Sequence, residues 1–435
     1  MKLLSEIIVN AQINELFEGV PRLIEVTALP NKATIIIGVR RCGKSTLINQ
    51  IISHKKKQGL SNQNILHLNF FDDRLANLRT EGLNNVMEAF YSLYPEKKND
   101  EKIICFFDEI QVIPLWELFI ERLLRTEKCE IYITGSSARM LSKEVATQMR
   151  GRALSWELFP FSFEEYLTYK NLRIEKPFST KSRLTIQKIY TDYWNCGGFP
   201  EVFGITDSLR IKIHQEYFNS ILFRDLIERY DVSHPRAVID LARILINAVG
   251  SLYTLNRLTN HLKSLGHKVA KMNVAEYIEW FEDAYFLFTV RVYDASYSKS
   301  NANPKKIYCI DHALVTSVSS GILVNSGHLL ENLVFVALRR VTVDIYYYKT
   351  KGNREVDFLV LNQNREKSLI QVTDSLANTE TRKRELLALQ NSMEELGLES
   401  ATIVTQAESE QLKFDWGFVN VVPIWKFLLD VKMFQ

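Results

Sequence analysis

The chain has 435 residues, 46% of them hydrophobic and 24% charged, an ordinary globular composition. That length accommodates about three domains. A net charge of +3 is too balanced to identify a nucleic-acid binder, and the five scattered cysteines (Cys42, Cys105, Cys129, Cys196, Cys309) contain no C-x-x-C pair, which argues against a disulfide framework or a zinc site. The first residues lack the apolar core of a signal peptide, and His312–Leu330 is too polar to cross a bilayer. A soluble, cytoplasmic protein without membrane contact is expected.

In chain order, Lys2–Leu29 reads as helical. From Ala33, short apolar runs alternate with helical stretches: Ala33–Ile37, Asn64–Phe70, Lys102–Phe107, Glu130–Thr134 and Ala153–Leu158. Continuous apolar runs between helices indicate a parallel sheet covered on both faces. The expected fold class is therefore α/β, with the parallel-sheet domain over residues 1–165. Phe161–Val232 reads as helices broken by a turn at Trp194–Pro200, giving a helical lid or connector over 166–234. Three helices and the apolar run Tyr285–Tyr293 predict a winged-helix-like domain over 235–295. Asp294–Lys306, rich in Ser, Asn and Lys, reads as a loop. Residues 307–435 show the order α-β-β-β-α-β, with a helix at Ser326–Arg340, strands at Asp344–Lys349, Glu355–Leu361 and Leu369–Val372, a helix at Thr379–Leu396 and a strand at Ala401–Thr405.

The most specific motif is Gly38-Val-Arg-Arg-Cys-Gly-Lys-Ser-Thr46, which matches G-x-x-x-x-G-K-[ST] between a strand and a helix. Gly38 and Gly43 permit backbone angles other residues resist. The N–H groups of Arg41, Cys42, Gly43, Lys44, Ser45 and Thr46 can then surround a β-phosphate at a helix N-terminus. Lys44 is expected to reach the β- and γ-phosphates, and the Ser45 hydroxyl to bind Mg²⁺. The apolar run ending in Asp108-Glu109 supplies the partner carboxylates, Asp108 on the metal side and Glu109 as the general base for water. An extra strand, Asn64–Phe70, between the two motifs is the arrangement of P-loop ATPases with a catalytic Glu, the AAA type included. Thr134 and Ser136, in Thr134-Gly-Ser-Ser137, are candidates to contact the γ-phosphate or its water. Arg150 and Arg152 are candidates to stabilise transferred charge, in cis or from a neighbouring subunit, with Arg152 favoured.

Taken in order, GVRRCGKST, LNFFDDRL, FFDEIQ, ITGSS, GRALSWELFPFSFEEY and GGFPEVF resemble bacterial and archaeal AAA-type ATPases with a C-terminal restriction-endonuclease-like domain of unknown function. The likeness continues through Arg224–Val232, Tyr308–Leu314, Gly327–Phe335 and Glu355–Val360. It implies ATP as the nucleotide. In a nuclease core of this kind two carboxylates hold Mg²⁺ and a lysine assists. Asp357 fits the first carboxylate and Glu331 could add another. Gln371 and Thr373 stand where a second carboxylate and the lysine belong, so nucleic-acid cleavage is not expected. Arg257, Lys263, Lys268, Lys271, Lys299, Lys305 and Lys306 form a basic set that makes DNA a candidate partner. A protein partner and further copies of the chain are candidates too. The expected activity is an ATPase that couples nucleotide state to motion of the attached domains. The rival reading is a nucleotide-switched binding module with negligible turnover.

Overall fold

In the computed structural model, residues 2–98, 101–136, 147–174, 176–319 and 325–435 are described; Ser137 of the Thr134–Ser137 motif lies outside them. Contacts divide the chain into two units, Met1–Phe159 with Asp283–Tyr285, and Pro160–Glu282 with Phe286–Gln435.

The apolar runs of the first unit become five parallel strands: β1 (Ala33–Ile37), β2 (Ile65–Asn69), β3 (Ile103–Asp108), β4 (Cys129–Gly135) and β5 (Ala153–Glu157). Their order is β2-β3-β4-β1-β5. Every residue of β1 and β3 is buried, as expected of central strands covered on both faces. β4 separates β1 from β3. The α/β class with a parallel central sheet is therefore present.

The expected helix over Lys2–Leu29 stops at Ile13. Gly19 adopts φ +55°, and Pro21 and Pro30 lack the N–H a helix needs. The segment instead lies along the helix Lys44–Lys57, where Gln50 Nε2 donates to the Glu18 and Val20 carbonyls at 2.5 and 2.7 Å. The helix that does form buries Leu4, Ile7 and Ile8, and its Gln12 donates to the Ile65 carbonyl at 2.7 Å.

The second unit opens with helices Phe163–Tyr169, Thr180–Cys196 and Asp207–Ser220. The turn at Trp194–Pro200 is tied down by Asp311, whose carboxylate accepts the Gly198 N–H at 2.7 Å and caps the helix His312–Val318. Glycine is required here: a Cβ on Gly198 would lie 2.5 Å from the Phe161 carbonyl oxygen.

Helices Pro235–Asn247, Leu255–Ser264 and Lys271–Asp283 accompany β6 (Leu252–Tyr253), β7 (Leu287–Val292) and β8 (Lys305–Cys309). β8 pairs antiparallel with both β6 and β7. The segment read as a loop, Asp294–Lys306, contains the helix Tyr297–Ala302, capped by Ser296, and the first residues of β8.

The remaining strands are β9 (Ile345–Lys349), β10 (Glu355–Leu361), β11 (Lys367–Val372), β12 (Ser400–Thr405), β13 (Glu410–Phe414) and β14 (Gly417–Pro423). β7 runs parallel to β9, so one nine-stranded sheet results, ordered β13-β14-β12-β11-β10-β9-β7-β8-β6. β13, β14 and the helix Ile424–Asp430 have no counterpart in the sequence reading. β13 carries exposed polar residues on an edge, so no apolar run marks it. Among the described residues, no helix is long and apolar enough to cross a membrane.

Candidate functional site

β1 delivers the chain into the loop at Gly38. A Cβ on Gly38 would sit 2.0 Å from the Leu158 carbonyl oxygen, so no side chain fits. Arg41 and Gly43 take left-handed φ of 69° and 101°, which helps consecutive N–H groups converge on an anion. Gly43 is the N-cap of the helix Lys44–Lys57. Cys42 is buried, and burial pushes its thiol pKa up, leaving a neutral packing group. Ser45 is exposed and Thr46 half-buried.

Lys44 is buried, with Nζ donating to the Gly38 and Val39 carbonyls at 3.1 and 3.2 Å. The same ammonium lies 3.7 Å from Glu109 Oε1. Asp108, the last residue of β3, is buried. Thr134, on β4, donates its hydroxyl to Asp108 and accepts the Glu109 N–H at 2.9 Å. Glu109 adopts φ +56°, a left-handed backbone that is uncommon for a residue with a side chain. Ser136, just beyond β4, is buried. The fold thus brings Lys44, Asp108, Glu109 and Thr134 together at one end of the sheet.

Two contributors were missed in the sequence. Gln111 donates to Glu109 Oε2 at 2.5 Å. Arg22 donates to the Cys42 carbonyl at 2.8 Å and the Phe159 carbonyl at 2.7 Å, joining the P-loop to the chain after β5. Gln111 stands two residues after Glu109, a usable signal; Arg22 sits in the stretch misread as helix.

Arg152 is not brought to the P-loop of its own chain. Its carbonyl accepts the Ala33 N–H at 2.8 Å, at the start of β1, while Gly38 follows the end of that strand. Five residues of strand separate the two by about 16 Å. Arg152 was expected to act in cis or from a neighbouring subunit; its backbone lies at the opposite end of β1 from the P-loop. Arg150 lies 4.0 Å from Glu121.

A second cluster lies in the other unit. Lys306, expected among the basic surface residues, is buried, whereas Arg257, Lys263, Lys268, Lys271 and Lys299 are exposed. Its Nζ is 2.8 Å from Glu331 Oε1, 2.8 Å from Asp357 Oδ1 and 2.9 Å from Glu355 Oε1. Tyr308 donates to Glu331 Oε1 at 2.6 Å. Burial, then the Asp357 charge, raises the Glu331 pKa to about 7. Gln371 is buried; it accepts the Asp357 N–H at 3.1 Å and donates to Glu385 at 2.7 Å. Thr373 follows the end of β11.

Residues 30–167 match a family model described as an AAA domain. Residues 187–322 and 326–427 match two domains of unknown function, DUF8612 and DUF4143. The structure of the Aeropyrum pernix ORC1 protein in complex with DNA aligns with 74% of this chain and 91% of that chain, at 11% identity and a TM-score of 0.31. A C. elegans PCH-2 structure aligns with 51% and 61%, at 14% identity and a TM-score of 0.27. Scores this low carry no argument about function. An uncharacterized protein of Haemophilus influenzae is 31% identical over 332 residues, 75% of this chain and 78% of that protein. An uncharacterized protein of Methanocaldococcus jannaschii is 34% identical over 430 residues, 97% of this chain and 93% of that protein. Identity at that level along nearly the whole of both chains means that this chain, an AAA domain followed by two domains of unknown function, belongs to the same family as these uncharacterized proteins.

Proposed function

We propose that the chain is a Mg²⁺-dependent ATPase whose nucleotide state moves the units attached to its AAA domain. The observation that supports this most is the meeting of Lys44 with Glu109, and of Thr134 with Asp108 and Glu109, at the P-loop end of the sheet. In this reading the N–H groups from Arg41 to Thr46 hold the ATP phosphates, and Lys44 exchanges its carbonyl partners for phosphate oxygens. The Ser45 hydroxyl and the Asp108 carboxylate are hard oxygen donors of the kind Mg²⁺ prefers, and they would hold it. Held there, Mg²⁺ would neutralise charge on the phosphates. Glu109 takes the proton of the attacking water, aimed by Thr134 at its backbone and by Gln111 at its side chain. Ser136 contacts the γ-phosphate or its water. Arg152 acts only in trans, on a neighbouring copy.

Steady-state phosphate release tests this reading. Tight ATP binding with no release would favour the nucleotide-switched module instead. That alternative draws on the engagement of both Glu109 carboxylate oxygens, by Lys44 and by Gln111.

For the second unit, the order helix, β6, helix, helix, β7, β8 supports a winged-helix-like module, and the later strands a degenerate nuclease-like core. Exposed Arg257, Lys263, Lys268 and Lys271 favour DNA phosphate as a ligand. Mobility shift of duplex DNA that falls with rising salt would support it; no shift at low salt would remove it.

A further inference from the structure

The helix Leu255–Ser264 buries Leu258, Thr259 and Leu262 and turns Asn256, Arg257, Asn260, His261 and Lys263 to solvent. The turn after it exposes Lys268, and the helix Lys271–Asp283 exposes Lys271 at its start. Residues 241–275, which span all of these, contain no Asp or Glu, although the whole chain has 51 in 435 residues. Elsewhere surface cations pair with acids, as Arg74 does with Asp72 at 2.6 Å. Among the described residues, the side chains of Arg257, Lys263, Lys268 and Lys271 have no such partner. The face is a continuous set of cations, amides and an imidazole, the groups that bind phosphate oxygens.

The helix Lys271–Asp283 changes sign along its length. Val274, Tyr277, Ile278 and Phe281 are buried, while Glu276 and Glu279 are exposed on the same side as Lys271. At the rise of a helix they lie about 8 and 12 Å further along its axis. A helix laid lengthwise in the major groove, about 12 Å wide, has phosphates along both walls. There Glu276 and Glu279 would meet phosphate as like charges. We propose, resting on the DNA reading above, that this module grips duplex DNA by its phosphates alone. The helix Leu255–Ser264 and the turn to Lys271 lie against the backbone, and Glu276 and Glu279 keep the helix Lys271–Asp283 out of the groove. The grip therefore reads no base sequence, and the two glutamates limit its strength.

The test uses the full chain at low salt, with sequencing of the fraction it binds from a random-sequence duplex pool and with titrations of labelled duplexes over a salt range. No motif should be enriched, and unrelated duplexes should bind within about threefold of one another. Arg257→Ala and Lys263→Ala should each weaken all duplexes alike and reduce the slope of log affinity against log salt by about 1. Arg257→Lys should keep the wild-type slope. Glu276→Gln with Glu279→Gln should tighten binding about threefold or more. An enriched motif, an unchanged slope in both alanine variants, or weaker binding by the double glutamine variant would overturn the phosphate grip and leave the DNA reading standing. A wild-type chain that shifts no duplex at low salt would remove the DNA reading and this proposal with it.

Discussion

The Thr134 hydroxyl donates to the Asp108 carboxylate and, through the same oxygen, accepts the backbone N–H of Glu109. One β4 side chain thus positions both acidic residues at the end of β3. Thr134→Val keeps the shape and removes both bonds. Losing a buried hydrogen bond costs about 1–3 kcal/mol. ATP turnover should fall roughly 10- to 100-fold, with nucleotide affinity changed far less. Initial-rate kinetics with a separate nucleotide titration checks this.

Arg22 holds the P-loop from outside the motif, with one nitrogen on the Cys42 carbonyl and another on the Phe159 carbonyl. Arg22→Met should weaken ATP binding about tenfold, the effect of losing about 1.4 kcal/mol. Arg22→Lys should not restore it, because a single ammonium cannot reproduce the guanidinium fork. Titration of a fluorescent ATP analogue measures both.

His67, on β2, has its pKa lowered to about 4 by burial and by the nearby Lys56 charge. A histidine with a depressed folded pKa contributes stability above its unfolded value, near 6.5, and loses that contribution as pH falls toward the folded value. Wild type should therefore lose stability between pH 6.5 and pH 4, and His67→Gln should lose less over that interval. Paired thermal melts at pH 7, 5.5 and 4.5 give the comparison; equal slopes would refute the assignment.

The P-loop was legible because Gly38, Gly43 and Lys44 keep the G-x-x-x-x-G-K spacing between a strand and a helix. Asp108 and Glu109 were legible because a fully apolar strand ends abruptly in two carboxylates. Arg22 was hidden, since its segment has helix-like apolar spacing and its role depends on lying along the helix Lys44–Lys57. The place of Arg152 was hidden for a related reason. Its position at the far end of β1 follows from strand pairing, Ala33 opposite Ala153, which no local pattern records. Lys306 stood beside Lys305 at the end of a segment rich in Ser, Asn and Lys, so it joined the basic surface set. The alternation of a strand holds the correction: Lys306 and Tyr308 share one face of β8, and both reach Glu331. That relation becomes visible only once β8 and β10 belong to one sheet. The edge strand β13, polar and exposed, lacked any apolar signal.

The central claim, hydrolysis at the Lys44–Glu109 site, is tested most directly by steady-state phosphate release from ATP and Mg²⁺ in wild type and Glu109→Gln. A general base contributes about 10²- to 10⁴-fold. The account predicts turnover in wild type, a loss of at least 100-fold in Glu109→Gln, and ATP affinity kept within a fewfold. Turnover unchanged by the substitution, or absent from a wild-type chain that binds ATP, would contradict it.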